Sequence, residues 1–382
     1  MRFSLPVDKA QEVLSFLRNI SPTRTPSGDL TPVRLESFSN NTVLFSVVNG
    51  GSVCRYTFPV VVELVGSVVV GLDLLYRAVN GFTVRFSDGD GTESIKLSKG
   101  AQVLTITAKA HYGGKVSSQR RSLHILDCYI PEISVPNKES FVYIPYEKFV
   151  KSLRSVVYSV NSSLDASVFN GVLLKYGSNR MDVVATNGVT LTKVSNTLEK
   201  SDYNGECALD GGFVSKLSVV LSKISPEMEG EPNIGIFIDK GIFWVLYKDL
   251  LVGGPLCSSS FPKYDSLFVG SEKKFILDSS LFIENIKSII FNSDKDDNFR
   301  LTFKFMAGEF SVSSPTCSNE GLPLYAGSTS LQIDFNAHII EGAVKNLNST
   351  LFMFSYKDRH SPVILEPYDS ELEIVTIVAP LK

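Results

Sequence analysis

The sequence has no C-x-x-C pair, no two histidines at metal-ligating spacing, and no apolar run approaching the ~18 residues of a membrane span. Its five cysteines, Cys54, Cys128, Cys207, Cys257 and Cys317, are scattered and odd in number. That pattern disfavours a disulfide framework or a zinc site and predicts buried free thiols. Histidine is scarce, with His111, His124, His338 and His360 far apart. No Walker lysine, G-x-S-x-G or Rossmann glycine pattern is present. Carboxylates abound, but any two could be chosen as an acid/base pair, so they point to no catalysis. The opening residues, MRFSLPVDKAQEVL, lack an apolar signal core, and the expectation is a cytoplasmic protein without cofactor or metal. Without a secretory route, the glycosylation patterns at Asn40, Asn161 and Asn348 are coincidences. Nor is there a general excess of positive charge: 37 Lys plus Arg face 40 Asp plus Glu, a net charge of -3. A sticky nucleic-acid coat is thereby excluded, and the distribution of the bases must decide.

What the 382-residue chain does have is repetition, with 43% hydrophobic residues to fill two or three cores. MRFSLPVDKAQEVLSFLRNI, ESFVYIPYEKFVKSLRSVVYSV and KKFILDSSLFIENIKSIIFNS each open with a short strand. The strand carries Phe and a second large residue two positions on: Phe3/Leu5, Phe141/Tyr143 and Phe275/Leu277. Each copy then changes to helical period; in the second, Phe149, Val150, Leu153, Val156, Val157 and Val160 share one face. Asp278-Ser279-Ser280 supplies capping residues for the third helix, and Pro6 with Asp8 opens the first. A second helix recurs in each copy, over 71–82, 210–225 and 334–348. Segments such as NTVLFSVV and NIGIFIDKGIFWVLYK between them alternate as antiparallel strands. The fold class is α+β: three repeated domains at 1–135, 139–262 and 271–382, with linkers at 131–140 and 261–274. SDGDGTESIKLSKG, 87–100, resembles a calcium loop but lacks the carboxylate at its twelfth position, and reads as a solvated hairpin turn.

The six helical segments carry ten bases against eight acids, several of the acids at helix starts where the macrodipole accounts for them. Alone, that excess is an ordinary solvated face. Repeated three times on one surface, it would form a stripe suited to phosphates rather than to base edges.

The middle repeat, SVFNGVLLKYGSNRMDVVATNGVTLTKVS followed by CALDGGFVSKLSVVLSKIS and SSSFPKYDSLF, resembles the middle domain of the bacterial DNA polymerase β sliding clamp family. The closing LEIVTIVAPLK is similar to that family's last strand and Pro-containing tail. Resemblance runs over 139–270 and 331–382 and is poor over 85–135. It implies a ring of two head-to-tail chains, sheets outside and two helices per domain inside. Such a homodimer would encircle double-stranded DNA without reading its sequence and tether a replicative polymerase, with a clamp loader as further partner. The class is non-catalytic, with no membrane partner, in a bacterial cytoplasm or nucleoid or a phage-infected cell. A clamp-fold scaffold that does not encircle DNA is the alternative.

By position, the resemblance assigns a partner-peptide pocket to Phe169, Thr186, Gly188, Val189, Thr190, Leu191, Pro262, Leu267, Pro362, Ile377, Ala379 and Pro380. It departs from the family at Asn187, where an acid is usual, and at Val189-Thr190, where His-Arg is usual. VVATNGVTLTKVS alternates on both sides of Asn187-Gly188, the pattern of a hairpin with a tight turn, so the segment is either a plain turn or the rim of that site. Arg24, Lys148, Lys151, Arg154, Lys216 and Lys223 are the candidate phosphate contacts, Arg24 by resemblance and the rest by helix position. Ile289 and Ile290 match the family's subunit contact, with burial in their own core as the competing reading.

Overall fold

The computed structural model describes residues 1–21, 25, 28–82, 91–160, 171–177, 179–198, 204–224, 232–257, 260–268, 273–290, 299–306, 308–327, 329–368 and 373–381. Arg24, Phe169 and residues 87–90 of the acid-rich segment lie outside them. The first repeat runs β1 (Arg2–Pro6), α1 (Val7–Ile20), β2 (Pro32–Ser37), β3 (Thr42–Asn49), β4 (Ser52–Pro59), β5 (Val61–Leu64), β6 (Gly66–Gly71), α2 (Leu72–Asn80), β7 (Gly91–Lys99), β8 (Val103–Tyr112) and β9 (Lys115–His124). The second runs β10 (Val142–Pro145), α3 (Tyr146–Val157), β11 (Gly171–Tyr176), β12 (Arg180–Thr186), β13 (Thr190–Thr197), β14 (Gly205–Asp210), α4 (Gly211–Lys223), β15 (Asn233–Asp239), β16 (Ile242–Tyr247) and β17 (Leu250–Pro255). The third runs β18 (Lys273–Asp278), α5 (Ser279–Ile290), β19 (Arg300–Met306), β20 (Glu309–Ser313), β21 (Ser318–Pro323), β22 (Leu331–Asn336), α6 (Ala337–Leu347), β23 (Leu351–Tyr356), β24 (Val363–Pro367) and β25 (Glu373–Val378). The α+β class and the threefold order are as the periodicity predicts.

Packing divides the chain into two compact units, Met1–Tyr146 with Val219–Leu256, and Glu147–Ser218 with Cys257–Lys382. The middle repeat is shared because its strands complete its neighbours' sheets. In the first unit one sheet has the order β5-β1-β7-β8-β9, and an eight-stranded sheet has the order β10-β15-β16-β17-β4-β3-β2-β6. In the second unit an eight-stranded sheet runs β14-β11-β12-β13-β25-β24-β23-β18, beside a sheet β21-β20-β19-β22. Two seams follow one rule: the last strand of a repeat pairs antiparallel with the third strand after the first helix of the repeat before it. Thus Gly253 faces Val53 and Leu250 faces Tyr56 across β17 and β4, and Val378 faces Thr190 and Glu373 faces Ser195 across β25 and β13.

Three helices begin where a carboxylate or amide caps them: the side chain of Asp278 accepts from Leu281 N at 2.8 Å, Asp210 from Phe213 N at 2.7 Å, and Asn336 from His338 N at 3.0 Å. Helices α1 and α2 start at Pro6 and Gly71 without a side-chain cap. On α5 the apolar spacing places Phe282, Ile286 and Ile289 inward, and Phe282 stacks on Phe303 with centroids 5.3 Å apart. Phe275 stacks on Phe305 at 4.5 Å and on Tyr356 at 5.2 Å, which extends this aromatic core.

The sequence pairing of Phe141/Tyr143 with Phe3/Leu5 and Phe275/Leu277 is one residue out of register. Phe3 and Phe275 stand four residues before the first helical residue and are fully buried; the residue so placed in the second repeat is Val142, with Ile144 in the role of Leu5. Because strand side chains alternate, the shift sends Phe141 to the opposite face, beside Trp244, Leu246, Leu251 and Val53, and leaves Tyr143 53% exposed. The thiols also divide: Cys54 and Cys207 are buried, and burial pushes both up to about 12. Cys257 and Cys317 are half-buried, and Cys128 is exposed, contrary to the expectation of buried thiols.

Candidate functional site

In the second unit the β12–β13 hairpin turns at the expected place, but its frame is one residue later than Asn-Gly suggests. Asn187 N donates to Thr190 O at 3.2 Å, which makes Gly188 and Val189 the two tip residues. Gly188 has φ +86°, in the position that a II′ turn reserves for glycine. Asn187 acts through its side chain: Oδ1 accepts from Val189 N at 3.0 Å, Thr190 N at 2.7 Å and Thr190 Oγ1 at 3.1 Å. Thr186 Oγ1 donates to Thr190 O at 2.8 Å and accepts from Gly188 N at 3.2 Å. The turn satisfies its own polar groups and therefore presents a mainly apolar tip, with Val189 43% exposed.

Strand pairing brings distant sequence to this tip. Leu191 faces Ile377 across β13 and β25, Ile377 faces Ile364 across β25 and β24, and Ala379 N donates to Val189 O at 2.9 Å. Leu381 N donates to Asp334 O at 2.8 Å, so the chain's last described residues are tied down at both ends. Leu173, Val184, Leu191, Ile377 and Tyr264 form one buried cluster, against which Phe261, Phe268 and Ile364 pack half-buried. Tyr264 lies edge-on between Phe261, at 5.7 Å, and Phe268, at 6.0 Å. Pro262 is half-buried and Leu267 is 44% exposed on this linker, while Ala379, with Pro380 after it, is bonded to the turn and Pro362 precedes Val363 two strands away. The pairing thus places Thr186, Gly188, Val189, Thr190, Leu191, Ile377 and Ala379 at the turn end of the sheet, whereas the 261–268 linker runs along it, with the Tyr264 ring 5.5 Å from Lys175 Nζ and the Phe268 ring 5.6 Å from Lys193 Nζ. The structure also adds a floor that the sequence left unmarked. The 410 Å³ cleft lined by Lys175, Arg180, Asp182 and Glu206 is elsewhere, at the opposite end of β11 and β12. Tyr176 also lines it, and its charges pair with each other, Lys175 with Glu206 at 3.5 Å and Arg180 with Asp182 at 2.9 Å.

Asp182 carries the perturbed carboxyl of this sheet. Burial opposes its charge, but the Ser195 hydroxyl at 2.6 Å, Arg180, and Lys193 at 3.2 Å together hold it below the usual carboxylate range. Arg180 also reaches Glu373 at 3.4 Å, an ion pair from the second repeat to the third.

Lys148, Lys151 and Arg154 recur along α3 and are exposed, as are Lys216 and Lys223 on α4. Lys148 Nζ donates to Thr197 O at 3.3 Å and Lys151 pairs with Glu147 at 3.4 Å, loose surface contacts that leave both cations hydrated. Ile289 is 0% exposed, enclosed in the core of its own repeat, which makes it a packing residue; Ile290 is half-buried and keeps surface. Free strand edges, which composition cannot reveal, are the further feature of interest: β9 and β21 each end a sheet.

No family model matches the chain. The beta sliding clamp of Rickettsia bellii is 24% identical over 260 residues, 64% of this chain and 68% of that protein. Solved structures match over the whole chain. The DNA polymerase sliding clamp of Bacillus subtilis has a TM-score of 0.83 at 18% identity, over 100% of this chain and 99% of that one. The DNA polymerase III β subunit of Thermotoga maritima has a TM-score of 0.85 at 15%, over 100% and 99%. That of Pseudomonas aeruginosa has 0.84 at 16%, over 100% of both chains. The fold is therefore that of the β sliding clamps, and the likeness covers the stretch 85–135 where the motifs fade.

Proposed function

We propose that this chain, which has the sliding-clamp fold from end to end, is itself a sliding clamp. Two copies close head-to-tail around duplex DNA, and an extended peptide of a replicative polymerase docks at the Gly188–Val189 turn. The observation that carries this reading is the pair of free edges. At both internal seams a last strand pairs with a third strand, and β9 and β21 hold those positions with no partner among the described residues. An exposed edge of backbone donors and acceptors is a template for another chain. β9 of one copy therefore pairs with β21 of the next, a heterologous contact that closes a ring when it repeats through a twofold. Charge supports it, since β9 carries Lys115 and Arg120 on an exposed strand and β21 carries Glu320. Exposed Lys148, Lys151, Arg154, Lys216 and Lys223, with Arg24, then serve phosphates diffusely, without catalysis or cofactor. A loader that opens the ring and the cytoplasmic setting follow from the same reading.

The test is retention. Purified protein has the mass of two chains, and once loaded it stays on covalently closed DNA and runs off the same DNA after linearisation. Equal loss from both forms defeats encirclement and leaves the scaffold reading.

A further inference from the structure

The β23–β24 turn lies at the same end of its sheet as the Gly188–Val189 turn. Val378, at the end of β25, faces Thr190 on one side and Val363 on the other. The residues before Val363 therefore stand two strand spacings, about 10 Å, from the tip of the pocket turn. Those residues are Lys357, Asp358, Arg359, His360 and Ser361, and the first four are exposed. Asp358 is used by the turn itself: Oδ1 accepts from His360 N and Ser361 N, both at 2.8 Å, and Oδ2 accepts from Ser361 Oγ at 2.9 Å. Arg359 Nε donates to His360 Nε2 at 2.9 Å, and its two terminal nitrogens make no hydrogen bond among the described residues. A shaped turn thus presents two cations, Lys357 and Arg359, against one anion already engaged in holding its backbone.

The pocket turn offers the opposite: an apolar tip whose donors are consumed by Asn187 and Thr186. Charge readout of a bound peptide cannot come from there.

We propose that the turn at 357–361 is a cationic rim of the peptide site, selecting partner segments that carry carboxylates a few residues from their apolar anchor. The inference rests on the pocket reading given under Proposed function. Guanidinium terminal nitrogens suit a carboxylate oxygen pair, and the preformed turn reduces the ordering cost of that contact.

The experiment uses the full chain and two dye-labelled extended peptides with the same Leu-Phe anchor, one flanked by two Asp and the other by two Asn, read by fluorescence anisotropy. The acidic peptide binds about two- to tenfold tighter at low ionic strength, as expected for exposed pairs, and high salt erases the difference. Lys357→Ala with Arg359→Ala abolishes the preference while the Asn peptide binds as before; Arg359→Lys retains it and shows that charge, not turn collapse, is responsible. Equal affinity of the unaltered chain for both peptides, or an unchanged preference in the double variant, overturns the rim and leaves the pocket standing. If neither peptide binds the unaltered chain, the pocket reading falls and the rim with it.

Discussion

Replacing Gly342 by Ala should destabilise the second unit although it improves a helix. Gly342 lies inside α6, where alanine gains about 1 kcal/mol over glycine. A Cβ there, however, would stand 2.5 Å from Tyr158 Cε2 and 3.1 Å from Cζ and the hydroxyl oxygen. Tyr158 closes α3 against α6: its hydroxyl donates to Ile339 O, while Asn346 Nδ2 donates to Ser155 O at 2.7 Å. Burial pushes the phenol up to about 12, opposed by a backbone hydrogen bond from Ala343, so it stays a donor through neutral and mildly alkaline pH. Overpacking costs about 1–3 kcal/mol and loss of the hydroxyl bond about 1 kcal/mol, leaving a net loss of roughly 1–3 kcal/mol after the helix gain. Urea unfolding should register it, with the melting temperature falling roughly 2–4 °C per kcal/mol in a body of this size. The decisive comparison is a double-mutant cycle. In a Tyr158→Ala background the obstruction is gone, and Gly342→Ala should stabilise by up to about 1 kcal/mol. The same sign in both backgrounds would refute the packing argument.

Asp182 gives a pH test: its folded pKa is lowered, so its stabilisation is present above the unfolded value and is lost as pH falls through the folded one. Asp182→Asn should cost about 1 kcal/mol at neutral pH and nothing in strong acid; an equal cost in both would show that the charge is irrelevant. Ile290→Glu should yield folded single chains by sedimentation, whereas Ile289→Ala should lose about 2–5 kcal/mol of stability because its side chain is enclosed. Dimers persisting in the first variant would move the subunit contact away from α5. Removal of Ala379 to Lys382 deletes the bonds to Val189 O and Asp334 O, and Gly188→Val forces a branched residue to φ +86°, a local strain of about 1–3 kcal/mol. Both variants should remain folded and lose peptide binding by anisotropy; unchanged affinity in both would place the partner site elsewhere.

The threefold repeat, the order of strand and helix, the cap at Asp278 and the inward face of α3 were legible in the chain alone. Each is set within one turn of helix or a few residues of strand, where side-chain direction follows sequence spacing directly. The clamp resemblance selected the pocket segment, and strand pairing then brought Leu191 next to Ile377, 186 positions away. What the sequence could not decide were matters of one residue or of remote pairing. Val142 rather than Phe141 takes the place of Phe3 and Phe275, with Phe141 buried on the other face, because the start of α3 fixes the register of β10. Gly188-Val189 rather than Asn187-Gly188 forms the tip because the amide of Asn187 captures the turn's donors. Ile289 is enclosed and Ile290 is not because a step of one residue on a helix swings a side chain by about 100°. The aromatic cover of Phe261, Tyr264 and Phe268, the placement of the 357–361 turn at the same sheet end as the Gly188–Val189 turn, and the edge positions of β9 and β21 exist only once sheets assemble across repeats. Backbone hydrogen bonding between strands is nearly blind to side-chain identity, so which strands pair is fixed by the tertiary structure as a whole.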